Sequence, residues 1–438
     1  MKNTDNILKG QTKVVKHTFS GSNITRFSGL NTISGYMNKQ GIIRLISSHF
    51  PTRRHNATKF GANQILLAIV FASLSGINRI CHMANFTGDG LVRVLLNLKK
   101  AINENTISVT LKKLGQSGAR TLQTLLLDNN SRWLDQTGLG SITLDADSTV
   151  KPVFGSQQGA AKGYNPTKKN GMSYHPLLVF VSEMKLLYHS WFRTGSAYTS
   201  NGIVDFLHEV RSSLPGRIKS VFFRADSGFF AGELLDILES WGWNYLIKVK
   251  LKNLDSLLYH QNWEPVKGKD DEWVCHFTYK AKGWSKPRTL KAIRTVTKEV
   301  ELSYLGQSHK VQEYEHACYI SSLEYDAHHL HKIYKQRSTS ETWIEQVKNH
   351  TMAGSTLTDD FWANDILWQL SVFAYNLSVM VRTGKKKFLK QEHRTFANWF
   401  ILVPARITRS AKQIELKMYE HHFYKEDWEE LDRMVKAA

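Results

Sequence analysis

Two acidic stretches and one charged helical face in this chain have residue types and spacing that suit phosphodiester chemistry. Leu144-Asp-Ala-Asp-Ser-Thr149 ends a strand pattern in carboxylates, and Arg224-Ala-Asp-Ser-Gly-Phe229 places Asp226 just before a glycine turn. A strand-end carboxylate facing a loop is where open α/β sheets put ligands, whereas one inside a strand is costly to bury unpaired. Tyr334, Arg337, Glu341 and Lys348 follow in a helical stretch. With 3.6 residues per turn, all four fall within about 60° of one another. That face sets a carboxylate among cations and a phenol, suited to holding a metal ion and gripping the flanking phosphates. Three carboxylates fit a two-metal site, in which paired Mg²⁺ ions about 3.5–4 Å apart activate water and stabilise a leaving oxygen. Mg²⁺ takes carboxylate oxygens, water and substrate phosphate rather than a closed protein cage. Each feature also has a plainer reading. A strand-end Asp is a common turn or cap residue, and an Arg337–Glu341 pair on a solvated face contributes only roughly 0.2–0.5 kcal/mol.

The elements that must position these groups are legible in outline. Ser141–Ala146 alternates, Tyr174–Ser182 is almost continuously apolar, and Leu186–Arg193 follows a short polar turn, so three strands are expected. Asn201–Ser213 reads as a helix, Ser220–Ala225 as a strand, Phe230–Trp241 as a helix and Tyr245–Val249 as a strand. Three strands able to form a meander, then strands joined through helices, describe a mixed α/β sheet of ribonuclease-H-like type. Between about 251 and 325 the texture turns to alternation, an all-β segment. Helices then return at His328–Asn349, Phe361–Val381 and Thr395–Leu402. Ser338-Thr-Ser340 lowers helix propensity, so the first of these is expected to kink or restart there.

The chain has 438 residues and a formal net charge of +20. Residues 1–130 hold 17 basic and 4 acidic residues, a net of +13, so most of the excess sits in the first third. That asymmetry points to a polyanion, nucleic acid first, engaged by the N-terminal region. Within it, Asn103–Leu114 reads as a capped short helix presenting Lys112 and Lys113. It is either the recognition helix of a helix-turn-helix or a basic surface helix. The three cysteines match neither a zinc spacing nor a disulfide framework. No signal-peptide pattern or membrane span is evident, the run Ile366–Val381 being broken by Gln369, Ser371 and Asn376. A soluble protein of a reducing cytoplasm is expected.

Taken together, these motifs resemble bacterial insertion-sequence transposases of the DDE class that carry a Tyr-Arg-Glu-Lys signature. Tyr334, Arg337, Glu341 and Lys348 match that spacing in full. Further marks are similar to the thirteen-eighty-type subgroup of the IS-four-like superfamily: Leu144–Val150, Lys162-Gly-Tyr-Asn-Pro166, Ser173-Tyr-His-Pro176, Arg224–Phe229 and Phe361-Trp-Ala-Asn-Asp365. The resemblance runs from roughly 60 to 410. It implies five parts: a helical DNA-binding region with a basic arm (1–135), a ribonuclease-H-like core (136–250), a β-rich insertion (251–325), core helices completing the site (326–405) and a C-terminal helical segment (406–438). It implies Asp147, Asp226 and Glu341 as the catalytic, metal-binding triad, with Asp145 the competing first Asp because it shares a strand face with Asp147. It implies two Mg²⁺ ions with Mn²⁺ as a substitute. The partner is double-stranded DNA, both element terminal repeats and target, bound by a homodimer associated with the nucleoid and not with a membrane.

The implied reaction is hydrolytic cleavage at the element's ends and strand transfer by the freed 3′-hydroxyl. Tyr334, Arg337 and Lys348 would clamp phosphates, joined by Lys162, Lys168 and Lys169 of the basic turn. Some related enzymes pass through a DNA hairpin and stack a flipped base on an insert aromatic, for which Trp263, Trp273 and Trp284 are candidates or ordinary β-core packing. His175, beside Pro176, reads as structural rather than as a metal ligand. The competing readings are a nuclease that cuts without joining and a DNA-binding protein without catalysis.

Overall fold

A computed structural model describes residues 21–51, 60–163, 165, 171–304, 307–411 and 413–437. Its centre is a nine-stranded mixed sheet. In chain order the strands are β1 (Ser141–Ser148), β2 (Leu177–Val181), β3 (Leu186–Trp191), β4 (Ser220–Ala225), β5 (Asn244–Lys248), β6 (Glu264–Pro265), β7 (Glu272–Tyr279), β8 (Arg288–Tyr304) and β9 (Gln307–Ser321). Their spatial order is β6-β7-β8-β9-β5-β4-β1-β2-β3. β1, β2 and β3 form an antiparallel meander. β4 lies parallel to β1 and β5 parallel to β4. Each parallel step is made through a helix, Ile203–Ser213 before β4 and Gly232–Ser240 before β5. Parallel neighbours need such crossovers.

The alternating segment after residue 251 joins this same sheet. β9 pairs antiparallel with β5, Ile320 opposite Ile247, so the β-rich segment extends the core sheet from its β5 edge.

The opposite edge is closed by side chains. The helix Phe361–Arg382 is buried along most of its length. Its Asn376 accepts from the Leu187 N–H at 3.0 Å and donates to the Leu187 carbonyl at 2.7 Å. Gln369 and Gln123 donate to the Ser190 carbonyl, and Asn130 to that of Tyr188. These amides satisfy the open edge of β3, which would otherwise invite pairing with another chain. Among the described residues no helix is long and apolar enough to cross a membrane.

Three local differences from the sequence reading have physical causes. The stretch read as Tyr174–Ser182 is two strands. Met172–Tyr174 belongs to a small separate sheet, and the chain re-enters the large one at Leu177 after His175 and Pro176. Pro176 lacks the N–H a continuous ladder needs. The expected short helix at 106–114 is the first limb of a 33-residue helix, Glu104–Gln136, bent at Gly115 (φ 52°, ψ −151°). Only glycine adopts that backbone easily. The segment 406–438, expected to be helical, is helical only over Lys425–Ala437. Ala405–Arg409 and Ile414–Met418 are strands, the first paired with Ile24–Thr25 near the start of the described chain.

The candidate site at the ends of β1 and β4

Along β1, Ile142, Leu144 and Ala146 enter the main apolar core, which leaves Asp145 and Asp147 on the other face. The two aspartates have different partners. Asp145 is fully buried and takes both ends of the Arg224 guanidinium, at 2.7 and 2.8 Å. Arg224 also donates to the Ile333 carbonyl and the Ser182 hydroxyl. This bidentate pair is fully engaged in joining β1, β4 and the helix Ala327–Lys335.

Asp147 stands one turn of the pleat further on, 8% exposed. Its Oδ1 accepts from the Ser148 N–H at 2.7 Å, and its Oδ2 pairs with Arg337 Nη2 at 2.9 Å. The same nitrogen donates to the Ala146 carbonyl, while Arg337 Nε has no partner. Burial pushes the Asp147 carboxyl up to about 6. Arg337 opposes that shift, and the charges of Asp226 and Glu341 add to it. Those two carboxylates are therefore close enough to repel it. Asp226 ends β4 and caps the turn Ser227–Phe229, its Oδ1 accepting from the Gly228 N–H at 2.9 Å. Glu341 is exposed in the first turn of the helix Ser338–His350, where the helix dipole favours an acid.

The four signature residues do not share one straight helix. Ala327–Lys335 ends and Ser338–His350 begins at Arg337, with tight three-residue bonds from Arg337 N to the Tyr334 carbonyl and from Ser340 N to the Arg337 carbonyl. The restart lies at the serine–threonine run, as its low propensity predicts. Tyr334 packs on Tyr319 with ring centres 5.1 Å apart. Burial raises its phenol pKa, with Arg337 opposing and Asp226, Asp147 and Glu341 adding. Lys348 Nζ donates to the Val150 carbonyl at 2.9 Å and Thr149 Oγ1 at 3.2 Å, bracing the segment that leaves β1. Burial lowers its pKa.

Sequence reasoning missed several groups around this centre. Lys151 is 2% exposed, donates to the carbonyls of Ser355 (2.6 Å) and Ala353, and is pushed down to about 7 by burial and then by Lys348. Arg193, likewise missed, and His175, read from the sequence as structural, hold the segment Thr194–Gly202 near the two aspartates. Their only sequence signals were the Ser-Tyr-His-Pro motif and an arginine ending a strand pattern.

The other candidates are dispersed. Lys162 is exposed on the small sheet, and Lys168 and Lys169 lie outside the described residues. Lys113 is exposed, and Lys112 pairs with Asp359 at 2.6 Å on the surface, a contact of little energetic weight. In the β-rich segment Trp284 is buried against Phe230 and Tyr279. Trp263 and Trp273 flank the Arg294 guanidinium at 4.8 and 5.1 Å, with Tyr314 at 4.6 Å.

The donor chemistry at the strand ends fits a hard divalent cation. The carboxylates are hard oxygen ligands, and their mutual repulsion at Asp147 is what a cation relieves. Their present spacing is open: among the described residues no three His, Cys, Asp or Glu side chains are grouped tightly enough to hold a metal ion.

The model of the family Transposase DDE domain group 1 matches residues 8–437, and the chain belongs to that family. Its members are DNA transposases, which cleave DNA and transfer strands and generally use divalent metal ions. No curated protein matches the sequence. Among solved structures, the chain is similar to a piggyBac transposase in a synaptic complex with hairpin DNA, at 13% identity and a TM-score of 0.49. The match covers 86% of this chain and 81% of that one.

Proposed function

We propose that this protein is an insertion-sequence transposase that cuts DNA at the element's ends and joins the freed 3′-ends to target DNA, with Asp147, Asp226 and Glu341 as its catalytic carboxylates. The observation that carries the proposal is the placement of Asp147 and Asp226 at the ends of adjacent parallel strands, within electrostatic reach of Glu341. The strand order β5-β4-β1-β2-β3 supports a ribonuclease-H-like core, and the net charge of +20 supports a DNA partner. Asp147 is the first aspartate in this reading because Arg224 occupies both oxygens of Asp145.

The chemistry is two phosphoryl transfers. In the first, a water oxygen bonds to phosphorus as the 3′-oxygen leaves. In the second, the oxygen of that 3′-hydroxyl bonds to a target phosphorus and loses its proton, while the target strand's 3′-oxygen leaves and takes one up. Asp147, Asp226 and Glu341 would hold the divalent ions, Mg²⁺ or Mn²⁺, which supply charge neutralisation and a more acidic water. The chain's own task is positioning. Arg337 fixes the Asp147 carboxylate through Oδ2, and Lys348 braces the Thr149–Val150 backbone behind it. Tyr334, packed on Tyr319 within electrostatic reach of the three carboxylates, and the exposed Lys112, Lys113 and Lys162 would contact flanking phosphates. Two ends must be brought together, so a homodimer on DNA is part of the proposal.

The test is excision from a plasmid carrying the gene's own flanking DNA with Mg²⁺, comparing wild type with Asp226→Asn and Glu341→Gln. Boundary cleavage by wild type alone is expected. Equal cleavage by either variant removes that carboxylate from the site. End-specific binding without cleavage by any form replaces the reading with a non-catalytic DNA-binding protein.

A further inference from the structure

The segment Thr194–Gly202, between β3 and the helix Ile203–Ser213, runs behind both aspartate loops and touches each. Its entry is pinned. Gly195 lies so close to the carbonyl oxygens of Ser173 and Ala161 that a Cβ there has no room. Its path is then held by one side chain. Arg193 Nε donates to the His175 carbonyl at 2.9 Å, and its Nη1 reaches the carbonyls of Asn201 (2.7 Å), Tyr198 (3.2 Å) and Thr199 (3.4 Å).

From this strap two contacts run to the Asp147 loop. The Ala197 carbonyl lies 2.7 Å from His175 Nδ1, which fixes the ring proton on that nitrogen. The Nε2 of the same ring lies 3.0 Å from Ser148 Oγ. Ser148 Oγ is in turn hydrogen-bonded to Thr199 Oγ1 at 3.3 Å. Ser148 is the residue whose backbone N–H binds Asp147 Oδ1. A third contact runs to the Asp226 loop. A Cβ placed on Gly228 would stand 3.0 Å from Thr199 Cβ and Cγ2, so the threonine packs directly on the glycine whose N–H binds Asp226 Oδ1.

We propose that Thr199 is a positioning residue that sets the separation of Asp147 and Asp226, and through it the divalent-cation affinity of the site. The hydroxyl holds one aspartate loop and the methyl abuts the other, and the Arg193 strap keeps both contacts in register. This inference rests on the reading of Asp147 and Asp226 as a metal-binding pair.

The experiment is Mn²⁺ binding by titration calorimetry on the full-length protein without DNA, with urea unfolding of each form in metal-free buffer. The forms are wild type, Thr199→Val, Thr199→Ser, Ser148→Ala, the Ser148→Ala/Thr199→Val double variant and Asp226→Asn. Thr199→Val keeps the shape and loses the hydroxyl, so its Mn²⁺ affinity should fall about five-fold, the equivalent of one neutral hydrogen bond. Thr199→Ser should stay within about two-fold of wild type. Ser148→Ala, which also removes the contact to His175 Nε2, should weaken binding at least as much as Thr199→Val, and the double variant should be no weaker than Ser148→Ala, because both substitutions remove the Ser148–Thr199 bond. Metal-free stability should follow a different order from metal affinity. Unchanged Mn²⁺ affinity in Thr199→Val, alongside a clear loss in Asp226→Asn, overturns the role of Thr199 alone. Equal affinity in wild type and Asp226→Asn overturns the metal-pair reading, and this inference with it. Fully additive losses in the double variant overturn the shared bond.

Discussion

Replacing Asp147 with asparagine should make the protein more stable while abolishing cleavage. Asp147 is almost wholly buried, and its carboxyl is pushed from 3.8 up to about 6, with burial the largest cause. A shift of roughly two units corresponds to about 3 kcal/mol. The sign follows from proton binding. Between roughly pH 4 and 6 the folded protein holds this proton more tightly than the unfolded chain, so stability falls as pH rises through that window. Above it the deficit is complete. Asparagine cannot ionise and escapes the deficit, yet its amide oxygen still accepts from Arg337. The Arg337 attraction is already contained in that net shift, because the protonated reference form also faces the guanidinium without charge. The net expectation at pH 7.5 is therefore a gain of about 3 kcal/mol in urea unfolding without divalent ions. By pH 5 the wild-type deficit is roughly halved, so the advantage of the variant should fall by about half. Adding Mg²⁺ at ten times its Kd should stabilise wild type by about 1.4 kcal/mol and leave the variant unchanged. An asparagine variant less stable than wild type at pH 7.5, by a margin insensitive to pH, would show that the Arg337 attraction outweighs desolvation and refute the argument.

Two further substitutions probe the frame around the site. Asp145→Asn should destabilise the protein by about 3–5 kcal/mol, the reverse sign to Asp147→Asn, because it strands the buried Arg224 charge; urea midpoints of the two variants side by side decide it. Asn376→Leu should cost about 2–4 kcal/mol, since the Leu187 N–H and carbonyl lose their partner at the β3 edge, and light scattering should show self-association of the variant; a soluble, fully stable leucine variant would contradict the edge-capping role.

The order and type of the core elements are written locally in the sequence. Ser141–Ala146 alternates with the period of a strand, and Phe361–Arg382 carries a long, mostly apolar run of helix length, so local pattern and length place them. Tyr334, Arg337, Glu341 and Lys348 and the two strand-end aspartates stand out by residue type and spacing in the sequence, although the four lie on two successive helices that meet at Arg337. Gln369 and Asn376 were visible only as interruptions of an apolar run. Their purpose appears when β3 is found at an open sheet edge with backbone groups to satisfy. Which of Asp145 and Asp147 is spent on the fold was likewise undecided, since the two share a strand face. The choice depends on Arg224, 79 residues away, arriving opposite Asp145 in the parallel register with β4. The kink at Gly115, the union of the β-rich segment with the core sheet, and the strap that joins His175, Ser148 and Thr199 all depend on which distant backbone comes alongside. Periodicity within a segment fixes what that segment can become, whereas long-range register fixes which of its polar groups are spent on the fold and which remain for chemistry.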